Sequence, residues 1–95
     1  MANYRKTIYV NASVDVECRP PRDRRRTYFF AQNVSPASVY YEEDTLATGE
    51  NGIEIGTGQF LELDQSQGDS VPQGNVWFRG SSAAPTLQRV IVKEG

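Results

Sequence analysis

Four short runs of strand-favouring residues lie between Arg26 and Asp64, and turn-forming residues separate each run from the next. The runs are 27–32, 38–43, 52–55 and 59–64, and the separators are 33–36, 48–52 and 56–58. Tyr, Phe, Val, Ile and Thr in runs this short, bounded by Gly, Pro and Asn, are typical of antiparallel strands. No segment has the longer period and the caps of a helix. The sequence therefore predicts a small all-β sandwich or barrel.

The remaining segments extend the prediction to about seven strands. We expect them at 7–18, 25–33, 38–43, 51–55, 58–64, 74–80 and 86–94. A period of two places Ile8, Val10, Ala12, Val14, Val16 and Cys18 on one face of a long first strand with a bend near Asn11. In the last strand it places Val90 and Val92 opposite Leu87, Arg89, Ile91 and Lys93. The Asn51-Gly52 and Gly56–Gly58 turns predict a hairpin over 52–64.

The chain has 95 residues, which predicts one domain spanning 1–95. A chain of this size buries roughly 60–65 % of its unfolded surface, enough for one modest core. No apolar run approaches the roughly 18–20 residues of a membrane span. The N-terminus lacks the apolar segment of a secretory signal. We expect synthesis and folding in the cytoplasm, and no membrane partner.

The residues that most often carry chemistry are scarce in this chain. It contains no histidine and one cysteine, Cys18. That composition excludes imidazole ligands, Ser-His-Asp triads and an internal disulfide, and Cys18 is interpreted as a small buried hydrophobe at a strand end. The sequence predicts that the protein is not an enzyme, with no catalytic residues, no metal site and no cofactor.

Charge is strongly separated along the chain, although the total is only −2. Residues 19–26 contain five arginines and one aspartate, a local net charge of +4. From Thr27 to Phe78 there is no Lys or Arg, and eight carboxylates occur. Pro20-Pro21 favours an extended, exposed loop for the basic segment.

Three interpretations of the basic segment remain open. It is a solvated loop, or it docks on an acidic protein surface such as the acidic loops of a neighbouring copy, or it contacts nucleic acid. One basic loop on an acidic chain would bind phosphates weakly with little base readout. Arginine suits bidentate pairing with carboxylates at an interface, which favours protein docking over nucleic acid.

Three weaker motifs have plain structural alternatives. Glycines 49, 52, 56 and 58 are turn residues rather than a phosphate cradle, because no helix follows them. Glu42-Glu43-Asp44 lacks the regular spacing of a calcium loop and is interpreted as a solvated strand end. A carboxylate pair for glycoside hydrolysis would require a cleft that so small a sheet does not predict.

Adjacent aromatic residues create a packing problem. Phe29-Phe30, Tyr40-Tyr41 and Trp77-Phe78 are neighbours in predicted strands, and neighbouring side chains point to opposite faces. Only one residue of each pair enters a given core. The others are covered from outside or form a patch for a partner.

Five segments together resemble small virion proteins of tailed bacteriophages. They read RTYFFAQN (26–33), SPASVYY (35–41), NGIEIGTGQFLELD (51–64), VWFR (76–79) and RVIVKE (89–94). The resemblance covers about residues 25–94 and includes capsid decoration (cement) proteins, head fibres and related accessory modules. It implies a jelly-roll-like or immunoglobulin-like sandwich. Residues 1–24 depart from the pattern, and we expect the N-terminal strand and the Arg-rich loop (19–26) to form an attachment arm.

The resemblance also implies a function. The chain would be a structural subunit on the capsid surface that binds the major capsid protein and stabilises the head, as a homo-oligomer, trimer or dimer. The alternative is a head–tail connector, tail or fibre module, with host-glycan binding through exposed aromatics. The candidate partner-binding residues are Arg19, Arg22, Arg24, Arg25, Arg26, Tyr40 and Trp77.

Overall fold

The computed structural model describes residues 4–12, 15–18, 26–43, 52–83 and 86–95. Within these ranges the chain forms eight β-strands: β1 (Tyr4–Val10), β2 (Asp15–Cys18), β3 (Tyr28–Asn33), β4 (Val39–Glu43), β5 (Ile53–Ile55), β6 (Phe60–Asp64), β7 (Val76–Gly80) and β8 (Gln88–Glu94). A single 3-10 turn, Gln65–Gln67, follows β6. The predicted all-β fold is confirmed. The predicted first strand is two strands, because the chain leaves the first sheet after Val10 and pairs as β2 with β7 in the second sheet.

The strand order identifies the type of sandwich. One sheet has the order β1-β8-β3-β6 and the other β2-β7-β4-β5, with every neighbouring pair antiparallel. Strands therefore pair first with last: β1 with β8, β2 with β7, β3 with β6 and β4 with β5. This is a long hairpin rolled up so that successive pairs alternate between two sheets. It is the eight-stranded order of a jelly roll, one of the two sandwich types expected.

The predicted hairpin over 52–64 is wrong. β5 pairs with β4 in the second sheet, whereas β6 pairs with β3 in the first. The turn between them carries the chain across the sandwich. Asn33 holds it there: its side-chain amide donates to the Ile55 carbonyl at 2.9 Å, and its backbone carbonyl accepts from the Gly58 N–H at 2.9 Å. Gly58 has φ of 75°, a conformation that glycine adopts without strain.

Alternation in the strands fills the space between the sheets. The buried apolar residues are Ile8, Val10, Phe29, Ala31, Val39, Tyr41, Ile55, Val76, Phe78, Val90 and Val92. In each adjacent aromatic pair one ring enters this core and the other, Phe30, Tyr40 or Trp77, lies half-buried on an outer face. The expected faces of β8 are also confirmed, since Val90 and Val92 are buried while Arg89 and Lys93 are exposed.

Polar groups close both ends of the core. The inward face of β8 reads Gln88, Val90, Val92, Glu94, and all four residues are buried. Gln88 accepts from the Ser82 N–H at 2.6 Å and donates to the Ser38 carbonyl at 2.7 Å. Both partners are backbone groups just outside a strand, since Ser82 follows β7 and Ser38 precedes β4. The buried amide therefore supplies the hydrogen bonds that water would otherwise supply.

Gly80 permits the close approach of β1 and β7 at the same end. Its N–H donates to the Asn11 carbonyl at 3.1 Å. A Cβ at this position would lie 2.7 Å from the Asn11 Cα and would collide with the Gln88 amide. The crossing of the chain from β1 to the second sheet therefore requires glycine here.

Candidate interaction surfaces

Arg26 is the one member of the basic segment whose position the structure describes, and it lies inside the protein. Its side chain is 0 % exposed. Nε donates to Glu94 Oε1 at 2.7 Å, and Nη1 donates to the carbonyl oxygens of Pro72, at 2.9 Å, and Gly74. The guanidinium carbon lies 5.4 Å from the centroid of the Phe29 ring. Every feature of this site is that of a structural ion pair.

Arg26 also binds the loop that leads into β7 through its backbone. The backbone N–H of Arg26 donates to Gln73 Oε1 at 3.1 Å, and Gln73 Nε2 donates to the backbone carbonyl of Arg26 at 2.7 Å. The ε-ammonium of Lys6 lies 3.6 Å from Glu94 Oε2, with the Lys6 side chain 42 % exposed. Buried charge is tolerated only when it is paired and hydrogen-bonded, and the Arg26–Glu94 pair satisfies both conditions.

Arg26 therefore does not belong to a partner-binding surface. Its guanidinium is buried and hydrogen-bonded inside the sandwich, so the prediction that placed it among the exposed loop arginines is corrected. Arg19, Arg22, Arg24 and Arg25 lie outside the described residues, and their partner-binding role stays a prediction. The N-terminal strand itself is part of the sandwich, because β1 pairs along its whole length with β8.

Tyr40 and Trp77 lie together on the outer face of the second sheet, which brings the two predicted aromatic site residues into one patch. The register places Tyr40 between Arg79 and Glu54, and Trp77 beside Glu42. Tyr40 and Trp77 are thus diagonal neighbours on adjacent strands. We call these five residues the aromatic face.

Hydrogen bonds fix the charged members of the aromatic face. Arg79 Nε donates to the Ala12 carbonyl at 2.7 Å, and Glu54 Oε2 accepts from the Ser38 hydroxyl at 2.6 Å. Both aromatic rings are half-buried, so each presents an edge or part of a face to solvent. Rings flanked by carboxylates provide a stacking surface beside hydrogen-bond acceptors.

The outer face of the first sheet is divided by charge. Its β1 and β8 side carries the exposed residues Arg5, Arg89 and Lys93, and its β6 edge carries Glu62 and Asp64. Sequence reasoning did not identify this division, because it depends on the order of strands in the sheet.

Two aromatic rings lie at the boundary between these charges. Phe30 and Phe60 stack with centroids 5.5 Å apart, and the Lys93 ammonium lies 5.3 Å from the Phe30 centroid. Phe60 is 59 % exposed. The aromatic residues outside the core are therefore distributed over both outer faces, with Phe30 and Phe60 on the first sheet and Tyr40 and Trp77 on the second.

Two tyrosines resist ionisation for the same reasons. Burial is the main cause that raises the pKa of Tyr41. The negative charge of Glu43, and the hydrogen bond that the phenol donates to it, raise this pKa further. Burial and the hydrogen bond to Glu62 raise the pKa of Tyr28 from 10.0 to about 12. The phenol of Tyr28 donates to Glu62 Oε2 at 2.8 Å, a bond that requires the neutral phenol.

Replacing Tyr28 with Phe is expected to reduce the loss of stability at high pH. The folded state holds the Tyr28 proton more tightly than the unfolded state, so its contribution is complete below pH 10 and is lost as pH rises towards 12. Urea unfolding of both proteins across that range measures this difference. The variant should have the shallower decline, because the contribution of Tyr28 is then absent. An identical decline in both proteins would contradict the assignment.

The carboxylates of the 42–44 cluster are separated by strand geometry. Glu42 lies on the aromatic face, whereas Glu43 follows on the opposite side of β4 and accepts from the Tyr41 phenol at 3.1 Å. Asp44 lies outside the described residues. Across the part of the chain that the structure describes, no group of three or more potential metal ligands converges. The described residues also contain no helix long and apolar enough to cross a membrane.

No family model matches the chain, and neither a curated protein nor a solved structure is significantly similar to it.

Proposed function

We propose that this chain is a bacteriophage structural protein, a capsid decoration subunit that binds the outside of the head and stabilises it. The observation that supports the proposal most is the jelly-roll strand order, which viral capsid domains share with lectin domains. This support is an analogy of fold, and the segments that resemble phage virion proteins give it direction. In this proposal the partner is the major capsid protein of the same virion.

The architecture suits a subunit that acts by bridging. A small sandwich with an ion pair at one end of its core and buried amides at the other is a rigid body with two outer faces. Decoration proteins stabilise a shell through many equivalent weak contacts, so a rigid body with several distinct surfaces is well suited to the role. No reaction is assigned in this proposal, and the protein acts by binding.

The number of copies per particle tests the proposal. Quantitative mass spectrometry of purified virions, with the major shell protein as the internal reference, is expected to give a simple whole-number fraction of the shell-protein count. A second measurement follows particle rupture on heating, with and without added protein. Absence from the particle, or a count matching one ring of subunits, would overturn the decoration role.

The aromatic face supports a second candidate, a connector, tail or fibre module that binds host glycans. Tyr40 and Trp77 occupy one patch together with two carboxylates. Trp77 is the only tryptophan in the chain, so its fluorescence reports directly on this patch. Glycan titrations that leave the Trp77 emission unchanged would remove this candidate, whereas a saturable change lost in Tyr40→Ala would establish it.

A further inference from the structure

The outer edge of β1 presents a row of backbone groups to which nothing in the described part of the chain is bonded. The backbone groups of Tyr28 and Gly95 form two reciprocal hydrogen bonds, at 3.1 and 3.3 Å. Every second residue of β8, counted back from Gly95, therefore points its backbone N–H and C=O groups towards β3. The backbone N–H and C=O groups of the alternate residues of β8, including Val90 and Val92, therefore point towards β1. There Val90 pairs with Ile8, and Val92 pairs with Lys6. The N–H and C=O groups of Arg5, Thr7 and Tyr9 must point away from the sheet.

Among the described residues, the opposite edge of the same sheet also has backbone groups without partners, over a shorter length. Asn33 N–H donates to the Gln59 carbonyl at 3.0 Å, and Gln65 N–H donates to the Thr27 carbonyl at 2.9 Å. Because Gln59 and Gln65 bond to β3, the odd-numbered residues of β6 point their backbone groups towards β3. The backbone groups of Phe60, Glu62 and Asp64 therefore point away from the sheet.

The loop after β6 covers one of these three residues. Asp64 N–H donates to Asp69 Oδ2 at 2.9 Å, and the Asp64 carbonyl accepts from Asp69 N–H at 3.2 Å. The free part of the β6 edge is therefore Phe60 and Glu62.

We propose that copies of this chain associate head to tail, with the β1 edge of one copy pairing with the β6 edge of the next. β1 and β6 are antiparallel across the sheet, because three successive antiparallel pairs separate them. A second copy placed beside the first in the same orientation thus presents its β1 antiparallel to β6. Arg5 then lies opposite Glu62 and Thr7 opposite Phe60, with all four side chains on the same outer face.

Charge complementarity supports this partner and this register. The β1 side of the sheet is basic and the β6 edge is acidic, so the contact joins opposite charges. It also places Tyr9, which is 54 % exposed, opposite Gly58, where a ring meets no side chain. A shift of two residues would set Arg5 against Asp64, whose backbone the loop already occupies.

Symmetric pairing of two β1 edges is the main competitor, and the charges disfavour it. That contact would bring Arg5, Arg89 and Lys93 of one copy close to the same residues of the other. Head-to-tail contacts of this kind form rings when the rotation closes and open chains when it does not. The inference concerns how copies associate and does not depend on the proposed role at a phage head.

Charge reversal in two variants provides the test, with mass measured by sedimentation and light scattering at low salt. Arg5→Glu and Glu62→Arg should each weaken self-association roughly tenfold or more, because like charges then face each other. A one-to-one mixture of the two should recover much of it. In that mixture the two introduced side chains have opposite charges and face each other at one contact, while the original Arg5 and Glu62 pair at the next. Raised salt should weaken wild-type association.

Matched controls separate the contact from folding. Tyr28→Phe removes the hydrogen bond that Glu62 receives but keeps the charge, so it should associate as the wild type does. Circular dichroism and urea unfolding check that each variant is folded. A wild-type protein that stays monomeric at millimolar concentration and low salt would overturn the inference. Association that persists in Glu62→Arg would also overturn it and indicate another interface, such as symmetric β1 pairing.

Discussion

Replacing Arg26 with Met is expected to lower the free energy of unfolding by about 3–5 kcal/mol, the usual cost of removing one partner from a buried ion pair. The Glu94 carboxylate would remain buried without its closest donor, and Lys6, at 3.6 Å, would compensate in part. Two carbonyls of the loop before β7 would also lose a donor. Domains of this size are stable by about 5–15 kcal/mol, so the loss is a large fraction of the total.

Urea unfolding of further variants gives this prediction its controls. Arg89→Met makes the same chemical change at an exposed position and should alter stability by no more than about 0.5 kcal/mol. Glu94→Leu combined with Arg26→Met removes both charges and should recover part of the loss. If Arg26→Met and Arg89→Met cost the same, Arg26 is not buried as a structural pair.

The role of Arg26 shows where local sequence reasoning stops. Five arginines occur within eight residues, and nothing in that segment distinguishes Arg26 from the others. The partner of Arg26 is 68 residues away. One signal was present: the period of two in the last strand, extended by one step beyond Val92, places Glu94 on the core face. A carboxylate at such a position requires a cation, and Arg residues are few outside the basic segment.

The strands were predictable from sequence because each depends on its own residues. Alternation correctly placed Val90 and Val92 on one face of the last strand and separated Phe29 from Phe30. The topology was harder, as the turn between β5 and β6 illustrates. Gly56–Gly58 does form a turn, but a turn signal does not say whether the strands beside it pair or lie in different sheets. Asn33, distant in sequence, settles the matter by bonding to both sides of that turn.

The surfaces were the least predictable part for the same physical reason. The aromatic face depends on the β4–β7 pairing, and the division of charge on the first sheet depends on β8 lying between β1 and β3. Residue type alone identified Tyr40 and Trp77 as candidates but gave them no common location. An exposed patch is a property of strand order, and strand order is set by contacts between residues far apart in the chain.

Replacing Phe78 with Ala is expected to cost about 3–5 kcal/mol, comparable to the loss of Arg26 but with a different cause. Phe78 is fully buried, and its ring centroid lies 5.5 Å from that of Tyr41 and 6.4 Å from that of Phe29. The truncation leaves a cavity between the two sheets that these neighbours cannot fill, because each is held by its own strand. Urea unfolding measures the cost, and Phe78→Leu serves as a milder variant if the alanine protein does not fold.

The matched control is Phe60→Ala, which removes the same ring from the outer face. Phe60 is 59 % exposed and stacks on Phe30, so its loss should cost only about 0.5–1.5 kcal/mol. The difference between the two phenylalanines measures what enclosure between the sheets adds to the value of a ring. Equal costs would mean that Phe78 is not enclosed, and the assignment of inner and outer aromatics across this sandwich would then be wrong.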